Sequence, residues 1–398
     1  MICFRLMRTG YRYQRMCNSA LFRVALLGAV LFTAPSVVAE DDACGPVDMR
    51  QPGGSMENIS VLDQDGTGLC YAYVATQMID AYRFSKLPKP LPADIKSWQS
   101  SPVATAFELA SGKFYYRNIT NPFKGGGIIC DAVNYSRKKG TCTQQALKEN
   151  SDSGYAYPVT SYWELSLYLD FYERFHRLSS ETRELENRDT ENPFIHAADI
   201  AKRRKILEEL TAPICRNFKA QGLLPEGLSS SLDALEEFLD KNNSMEFLLK
   251  TGLAACSKPE NREFFDIPAC TERAVFSKKN ALKSVHQWLN SKDPQPMGIG
   301  ICSQLFHQGR KYRGRWGAAL SDMFGGTNCG GHGVLIIGRR KLQRADGKST
   351  CQFLIRNSWG TSCYNYSGDW SCEAGNIWVD ADKVAGSMLT RSVIGDAP

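Results

Sequence analysis

The stretch from Gln64 to Tyr73 constrains the fold more than any other, because one cysteine stands at the start of a helical pattern. Apolar residues recur at helical spacing after this cysteine, at Ala72, Ala75, Ile79 and Tyr82. This spacing predicts a helix that begins at about Cys70. A thiol there lies at the positive end of the helix dipole, so we expect a lowered pKa and a reactive thiolate. The alternative is a small buried cysteine that opens a core helix.

The loop before the cysteine carries groups that suit an oxyanion hole. Gln64, six residues upstream, can offer a side-chain N–H to a developing oxyanion. The backbone N–H of Cys70 could be the second donor. Gly66 and Gly68 let the loop turn tightly and admit a ligand close to the backbone.

Candidate partners for the cysteine lie far downstream, beside two apolar runs. His332 leads into Val334 to Ile337, and the second run, Phe353 to Ile355, leads into Asn357. Both runs are typical of buried strands, and residues 345–347, with the sequence Ala-Asp-Gly, are a turn signal between them. An antiparallel hairpin folded there sets His332 opposite Asn357, within side-chain reach. A thiol, an imidazole and an orienting amide form a nucleophile–base–orienter set.

With these residues in view, the chain resembles the papain-like cysteine peptidases. Four blocks match in the family's order: the Gln…Cys-aromatic-Ala-aromatic block at 64–73, His-Gly-Val-Leu-Ile-Ile-Gly at 332–338, Asn-Ser-Trp-Gly at 357–360, and the late strand at 375–379. The resemblance implies that Cys70 is the nucleophile and His332 the acid/base. It also implies that Asn357 orients His332 and that Gln64 completes the oxyanion hole.

The resemblance extends to two substrate-facing features and fails at two positions. It implies that Trp359 shields the His332–Asn357 hydrogen bond from water. Gly126 and Gly127, within a run of three glycines, resemble the family's glycine pair that binds substrate backbone; the alternative is a flexible turn. Relatives usually have a disulfide-bonded cysteine where Thr67 stands here, and often an aspartate at the position of Gly331.

The fold class that this resemblance implies is α+β. We expect a two-lobed papain-like fold, with a helical lobe, a β-barrel-like lobe and a large helical insertion. The predicted organisation is a signal peptide at 1–39, an N-terminal helical lobe with the nucleophile at 40–159, the insertion at 160–275, and a C-terminal β-rich lobe with the histidine and asparagine at 276–398.

The first 39 residues have the pattern of a signal peptide. They carry five arginines and no acidic residue, followed by the apolar run Val24 to Phe32 and a cleavage site near Ala39. A membrane anchor is the alternative, but the run is short for a membrane span. Without this segment 43 basic residues face 42 acidic ones, which gives no support for nucleic-acid binding. We therefore expect a periplasmic or extracellular protein with no stable membrane span.

Cysteine use agrees with export. Twelve cysteines follow residue 39, and disulfides are permitted outside the cytosol. Cys363 and Cys372 flank a short turn-rich segment and are the favoured local pair. With Cys70 set aside an odd number is left, which predicts one further free or intermolecular thiol. No Cys-x-x-Cys pair occurs and the histidines are scattered, so we expect no metal site and no cofactor.

The insertion has no counterpart among the matching blocks. Apolar spacing predicts helices over Trp163 to Leu178, Ala197 to Leu210 and Leu232 to Leu249, with a charged linker from Glu181 to Thr190. The basic run at 202–205 suits a solvated helix face. The insertion could pack on the catalytic lobes, gate the cleft as a lid, or dock a partner.

The predicted function is an exported cysteine peptidase that hydrolyses peptide bonds of a protein or peptide substrate through an acyl-enzyme. His307 is a rival base, but no amide follows it on a paired strand. Two alternatives stay open: a cell-wall peptidoglycan endopeptidase or amidase with the same residues, and a non-catalytic binding protein on a peptidase fold.

Overall fold

The computed structural model describes residues 44–65, 67–112, 126–149, 162–186, 193–220, 253–307, 331–344 and 347–396. The predicted signal peptide, Gly66, the first glycine of the 125–127 run and the predicted helix Leu232 to Leu249 lie outside the described residues. Within the described ranges the chain is α+β, as the sequence predicts.

Most of the helices lie in the first part of the chain and most of the strands lie in the last part. Eight α-helices occur in the described ranges: α1 (Cys70–Lys86), α2 (Pro102–Gly112), α3 (Ile129–Lys139), α4 (Gln144–Glu149), α5 (Tyr162–Glu186), α6 (Pro193–Ala220), α7 (Lys278–Leu289) and α8 (Ala381–Ser387). The strands there are β1 (Val47–Asp48), β2 (Thr141–Cys142), β3 (Arg262–Glu263), β4 (Cys270–Ala274), β5 (Met297–Cys302), β6 (Gly331–Gln343), β7 (Ser349–Arg356), β8 (Ser371–Glu373), β9 (Asn376–Asp380) and β10 (Met388–Ile394).

One antiparallel sheet holds most of these strands, in the order β4-β10-β5-β6-β7-β9-β8, with β1 also paired to β6. Its two outer strands, β4 and β8, are not paired with each other in the described residues, so the sheet is open there rather than a closed barrel. β2 and β3 form a separate small sheet. Most residues of the central strands are buried, 5 of 6 in β5, 8 of 13 in β6 and 5 of 8 in β7, which places the core along the middle of the sheet.

Helix α1 is buried along most of its length and joins the two parts of the fold. It packs against α2 and α3 on one side and against β5 and β6 on the other. Of its 17 residues 14 are buried, so it has almost no solvent face. Gly298 of β5 permits the close approach, because a Cβ there would lie 2.9 Å from the sulfur of Met78 and 3.1 Å from Val74. The prediction of a helix that starts at Cys70 is confirmed.

The β6–β7 hairpin is confirmed, but its register differs from the prediction. The turn closes with hydrogen bonds between Arg344 and Lys348 and from Gly347 to Arg344. The ladder pairs Leu335 with Arg356 and shifts register between Ile336 and Gly338. Next to the turn Gln343 pairs with Ser349, so the strands are already three residues away from the register that would pair 332 with 357, and the β-bulge shifts the pairing by only one residue. The hairpin therefore does not place residue 332 directly across from residue 357.

The insertion begins as a helical hairpin of α5 and α6. The two helices pack together and are joined by ion pairs of Arg203 with Glu181 and Arg204 with Glu186. The predicted charged linker from Glu181 is wrong in its first part, because α5 continues to Glu186. The charges there are the ion-pairing surface of a helix.

The end of the range 160–275 is not helical. Strand β4 pairs with β10 and belongs to the main sheet, and β3 pairs with β2. The description of this whole range as a helical insertion is therefore wrong for its last residues.

Disulfides tie distant parts of the chain together. Three of them are long-range, at Cys44–Cys351, Cys130–Cys270 and Cys142–Cys256, and the fourth is the predicted local pair Cys363–Cys372, which is confirmed. Cys302 is disulfide-bonded as well. Cys130–Cys270 joins helix α3 to strand β4 and so links the helical part of the fold to the main sheet.

We expect the long-range disulfide between α3 and β4 to stabilise the fold more than the local one. With Cys142–Cys256 intact, Cys130–Cys270 closes a loop of about 26 residues, for which the chain-entropy model gives about 3.5 kcal/mol, against about 2.6 kcal/mol for Cys363–Cys372. Replacement of both cysteines by serine should lower the free energy of unfolding more for the Cys130–Cys270 pair than for the Cys363–Cys372 pair, as measured by urea denaturation. An equal or larger loss for the short loop would show that chain entropy is not what these bonds contribute.

Candidate active site

Cys70 lies at the first residue of α1, and backbone N–H groups surround its sulfur. The helix has no side-chain cap: the N–H groups of Ala72 and Tyr73 bond to the carbonyl of Leu69, at 2.8 and 3.2 Å. The N–H groups of Cys70 and Tyr71 instead point to the Cys70 sulfur. The first N–H groups of a helix have no partner within the helix, so they are available to a group at its end.

Gly333 brings the sheet to this sulfur. Its backbone N–H also points to Cys70 Sγ, and a Cβ at this position would lie 3.5 Å from the carbonyl carbon and oxygen of Cys70. Because Gly333 directly follows His332 on β6, the contact brings the strand that carries the imidazole against the start of α1.

Burial decides the charge of the resting thiol. Cys70 is 8% exposed, and burial raises its pKa above the ordinary thiol value. The N–H groups of Gly333, Tyr71 and Cys70 itself act in the opposite direction but do not cancel the effect. The prediction that the helix start lowers this pKa is therefore wrong, because loss of solvation outweighs the hydrogen-bond donors.

His332 and Asn357 form the strongest polar contact of the site. His332 Nε2 lies 2.7 Å from Asn357 Oδ1, and the backbone N–H of Ser358 donates to the same oxygen at 2.8 Å. A backbone N–H can only donate, so the atom it meets is the amide oxygen, and Nε2 must carry the hydrogen. That tautomer leaves His332 Nδ1 to exchange a proton. The predicted side-chain contact is thus present although the two residues are not paired on the strands.

Burial also holds His332 neutral. The imidazole is 8% exposed, and burial lowers its pKa to about 4, against the raising effect of Asn357. A third influence is the positive charge of a protonated His307, which acts in the same direction as burial.

Trp359 is the aromatic centre of the site. Its indole stacks with His332 at a centroid distance of 5.2 Å, with His307 at 5.0 Å and with Tyr366 at 5.6 Å. Phe306 meets it edge-on. The indole therefore covers the side of the His332 ring on which it stacks, and its shielding of the His332–Asn357 hydrogen bond from water stays a prediction.

The loop that carries Gln64 is fixed to the segment after β7. The N–H of Gln64 donates to the carbonyl of Ser358 at 2.8 Å, and Asp63 forms a β-bridge with Trp359. Asp65 has a positive φ of 51°, and its N–H donates to Asp63 Oδ1. These contacts bring the candidate oxyanion donor to the same segment as the orienting asparagine.

Thr67 closes this loop where relatives of the resembled family have a disulfide. Its hydroxyl donates to the carbonyl of Gln64 at 2.7 Å, and the Gln64 side-chain NH₂ donates back to the carbonyl of Thr67 at 2.7 Å. Both residues are buried. A reciprocal pair of hydrogen bonds thus sets the direction of the Gln64 amide, and one of its two N–H groups is left for another acceptor.

Gly126 and Gly127 precede α3, and Gly127 reaches the nucleophile helix. A Cβ on Gly127 would lie 2.7 Å from the ring of Tyr71, so this ring packs directly on the glycine backbone. Gly126 has a φ of 59°, which favours glycine, and the space where a Cβ would stand is open. Gly127 therefore lies at the residue next to Cys70.

The structure brings most of the predicted site residues together. Cys70, His332, Asn357 and Gln64 are linked by direct contacts or through one neighbouring residue, and Trp359 and Gly127 border them. No contact of this kind places Gly126 among them. Sequence reasoning did not single out Tyr366, which stacks on Trp359, nor the bonding role of Thr67. The only signal for Tyr366 is its place in the cysteine-flanked segment.

Comparison with known proteins gives matches among solved structures alone. No family model matches the chain and no curated protein does. Solved structures of SERA5E from Plasmodium falciparum are similar at a TM-score of 0.42 and 11% identity, over 88% of this chain and 94% of that one. The SERA5 proenzyme from the same organism is similar at 0.42 and 11%, over 90% of this chain and 67% of that one. A likeness of this size says nothing about what this chain does.

The described residues can also be assessed for a metal site and for a membrane-spanning helix. No group of three or more histidine, cysteine, aspartate or glutamate side chains is placed to hold a metal ion in those ranges. None of the helices described is both long and apolar enough to cross a bilayer.

We expect Thr67→Val to loosen the loop that holds Gln64. Valine keeps the shape of threonine but removes the buried hydroxyl bond, which should lower the free energy of unfolding by about 1 kcal/mol. Thr67→Ser keeps the hydroxyl and is the matched control. Urea denaturation of both variants measures the difference, and a Thr67→Val protein as stable as the serine variant would show that the hydroxyl bond does not hold the loop.

Proposed function

We propose that this chain is an exported cysteine peptidase of papain-like type, which hydrolyses peptide bonds through Cys70 and His332. The observation that carries the proposal is the hydrogen bond between His332 Nε2 and Asn357 Oδ1. His332 lies on β6, and the next residue of that strand, Gly333, is the one whose backbone acts on the Cys70 thiol. A nucleophile, a base and an orienting amide are the minimum set for acyl transfer by a thiol.

The first chemical step forms a thioester. Cys70 Sγ attacks the carbonyl carbon of the scissile bond while its proton passes to His332 Nδ1. The tetrahedral intermediate collapses, the carbon–nitrogen bond breaks, and His332 gives the proton to the leaving amine. Asn357 holds the opposite side of the imidazole throughout, so the ring keeps its orientation without a change at Nε2.

The second step returns the enzyme to its resting form. A water molecule gives a proton to His332 Nδ1 and attacks the thioester carbonyl carbon. The carbon–sulfur bond breaks, the acid product leaves, and Cys70 recovers its proton from His332. No cofactor takes part in either step.

The resting pair is neutral, and this suits a buried site. Burial alone disfavours a charged Cys70 and a charged His332. Proton transfer between them creates opposite charges side by side, and their attraction in a solvent-poor site offsets part of the cost. The N–H groups at the sulfur stabilise the thiolate as it forms.

The oxyanion would bind between the Gln64 amide and the N–H of Cys70. Gln64 Nε2 carries two hydrogens, and one is held by the carbonyl of Thr67. The other is the proposed donor to the oxyanion. Donors that are fixed before the reaction stabilise developing charge without reorganisation. The open backbone at Gly126 and Gly127 would pair with the acyl side of the substrate.

Export is supported by the disulfides. Four are formed within the described residues, and such bonds are rare in the cytosol. We propose that residues 1–39 are removed as a signal peptide and that the mature protein acts in a periplasm or outside the cell. The proposed organisation has a nucleophile lobe in 40–159 and a histidine–asparagine lobe in 276–398.

We expect Cys70→Ala to abolish turnover of casein and of short peptides while the protein stays folded. Loss of a nucleophile from a cooperative set costs several powers of ten in rate. The measurement is peptide release by wild type and variant, with circular dichroism as the check of folding. A variant that keeps more than about a hundredth of the activity would sink the mechanism.

Two further arms of this experiment separate the alternative functions. Clearing of purified cell walls that depends on Cys70, without release from casein, would indicate a peptidoglycan endopeptidase. Absence of turnover on either substrate, together with no labelling of Cys70 by an epoxide inhibitor, would indicate a non-catalytic binding protein.

We expect Asn357→Ala to reduce the rate less than His332→Ala. The amide positions the imidazole but moves no proton, so its loss should cost fewer powers of ten in kcat. Asn365→Ala, an exposed asparagine in the loop after β7, is the matched control and should behave as wild type. Steady-state kinetics of the three variants on one peptide measures the order. A folded Asn357→Ala protein that is slower than His332→Ala contradicts the roles assigned.

A further inference from the structure

His307 stands in the site although the proposed reaction does not use it. It follows β5 and forms an isolated β-bridge with Tyr366. The segment around it is held by the N–H of Ser367, which donates to the carbonyl of Phe306, and by the indole N–H of Trp370, which donates to the carbonyl of Leu305. The backbone position of His307 is therefore fixed by the disulfide-closed segment after β7.

The two histidines share one indole. The ring centroids of His307 and His332 lie 5.0 and 5.2 Å from that of Trp359, with interplanar angles of 28° and 29°. The imidazoles are therefore at most about 10 Å apart, which is no more than the Debye length at 0.1 M salt. A proton on one ring consequently acts on the other.

We propose that His307 is a positioning residue that controls, through its own charge, how readily His332 holds a proton. This inference rests on the proposed function for its consequence in catalysis, but not for the electrostatic effect itself. His307 is partly exposed whereas His332 is buried, so loss of solvation penalises a positive charge less on His307 than on His332. A charged His307 then repels a second proton on His332.

The charge on His307 therefore keeps the Cys70–His332 pair in its reactive protonation state down to a lower pH. The thiol–imidazole pair must lose one proton before Cys70 can attack, and the charge on His307 favours that loss. It also favours the thiolate of Cys70, because the two charges are opposite. With His307 replaced by a neutral side chain, the acidic limb of the activity should move to higher pH.

Other charged and titratable groups near His307 come from three elements. The loop before α1 brings Asp63, which bridges Trp359 and acts on Tyr366. The disulfide-closed segment brings Tyr366 and Asp369, and β6 brings His332 itself. These groups are present in wild type and variant alike. A comparison of the two therefore isolates the charge on His307.

The test follows the titration of His332 by NMR of labelled histidine rings in the mature full-length protein. Its signal is assigned with a His332→Gln variant. In wild type the midpoint should lie near pH 4. In His307→Gln it should rise by about 0.3 to 1 pH unit, the range that Coulomb's law gives for charges ~10 Å apart with a dielectric constant from about 80 to 20.

Two further variants separate charge from packing. His307→Phe keeps a ring on the indole but carries no charge, and it should raise the midpoint as much as His307→Gln. His176→Gln removes a histidine of α5 whose ring contacts are Tyr172 and Phe175, and it should leave the midpoint unchanged. An unchanged midpoint in both His307 variants, or a rise in the glutamine variant alone, would overturn the proposal.

The pH profile of kcat/KM is the second readout. The acidic limb should move to higher pH in both His307 variants and not in His176→Gln. A protein without peptidase activity would defeat the proposed function but leave the NMR result intact, so the two failures are distinguishable. A rise in the NMR midpoint without movement of the acidic limb would overturn the catalytic part of the inference.

Discussion

The packing of α1 between the helices and the sheet is the constraint on which the site depends. The helix is buried on nearly all sides, so it cannot turn or slide without loss of core contacts. Because its first residue is Cys70, the same packing fixes the sulfur against β6 at Gly333. Each Å² of apolar surface removed from water stabilises the fold by about 25 cal/mol. Summed over the apolar side chains of the helix, this burial contributes more than any single polar contact of the site.

The same burial sets the electrostatics of the site. It raises the pKa of the Cys70 thiol and lowers that of the His332 imidazole, so each group alone is neutral. The compensating groups are all pre-arranged: N–H donors at the sulfur, Asn357 behind the imidazole and Trp359 over it. Polar groups in a buried site are expensive when unsatisfied, which is why a helix start and a strand end, both rich in unpaired backbone groups, meet here.

Much of this arrangement could be predicted from the sequence, because local patterns dictate it. The spacing after Cys70 marks the helix, and two apolar runs around a turn mark the hairpin. The register of that hairpin could not be predicted, because the turn signal does not fix which residues close the turn: Gln343 pairs with Ser349, and the bulge between Ile336 and Gly338 changes the pairing by only one residue more. The direction of the thiol pKa failed for a related reason: the dipole is a local property, but burial is set by the whole fold.

The end of α5 shows a different limit of sequence reasoning. A run of charges from Glu181 resembles a solvated linker, yet Glu181 and Glu186 are helical and pair with arginines of α6. Charge alone does not separate a linker from the paired surfaces of a helical hairpin. The distinction needs the pairing arginines of the partner helix, which lie 22 and 18 residues away in sequence.

Thr67 connects the chemistry of the loop with the compartment that the disulfides imply. A cysteine at this position would place a second sulfur three residues from Cys70, in surroundings where thiols oxidise to disulfides. Thr67 closes the loop with a hydroxyl bond instead, and the Gln64 amide is held without sulfur chemistry. Cys70 is the free cysteine among the described residues, and its buried, protonated resting form is the one least open to oxidation. Burial thus makes the thiol a poorer nucleophile at rest, and it also protects that thiol until a substrate and His332 draw off its proton.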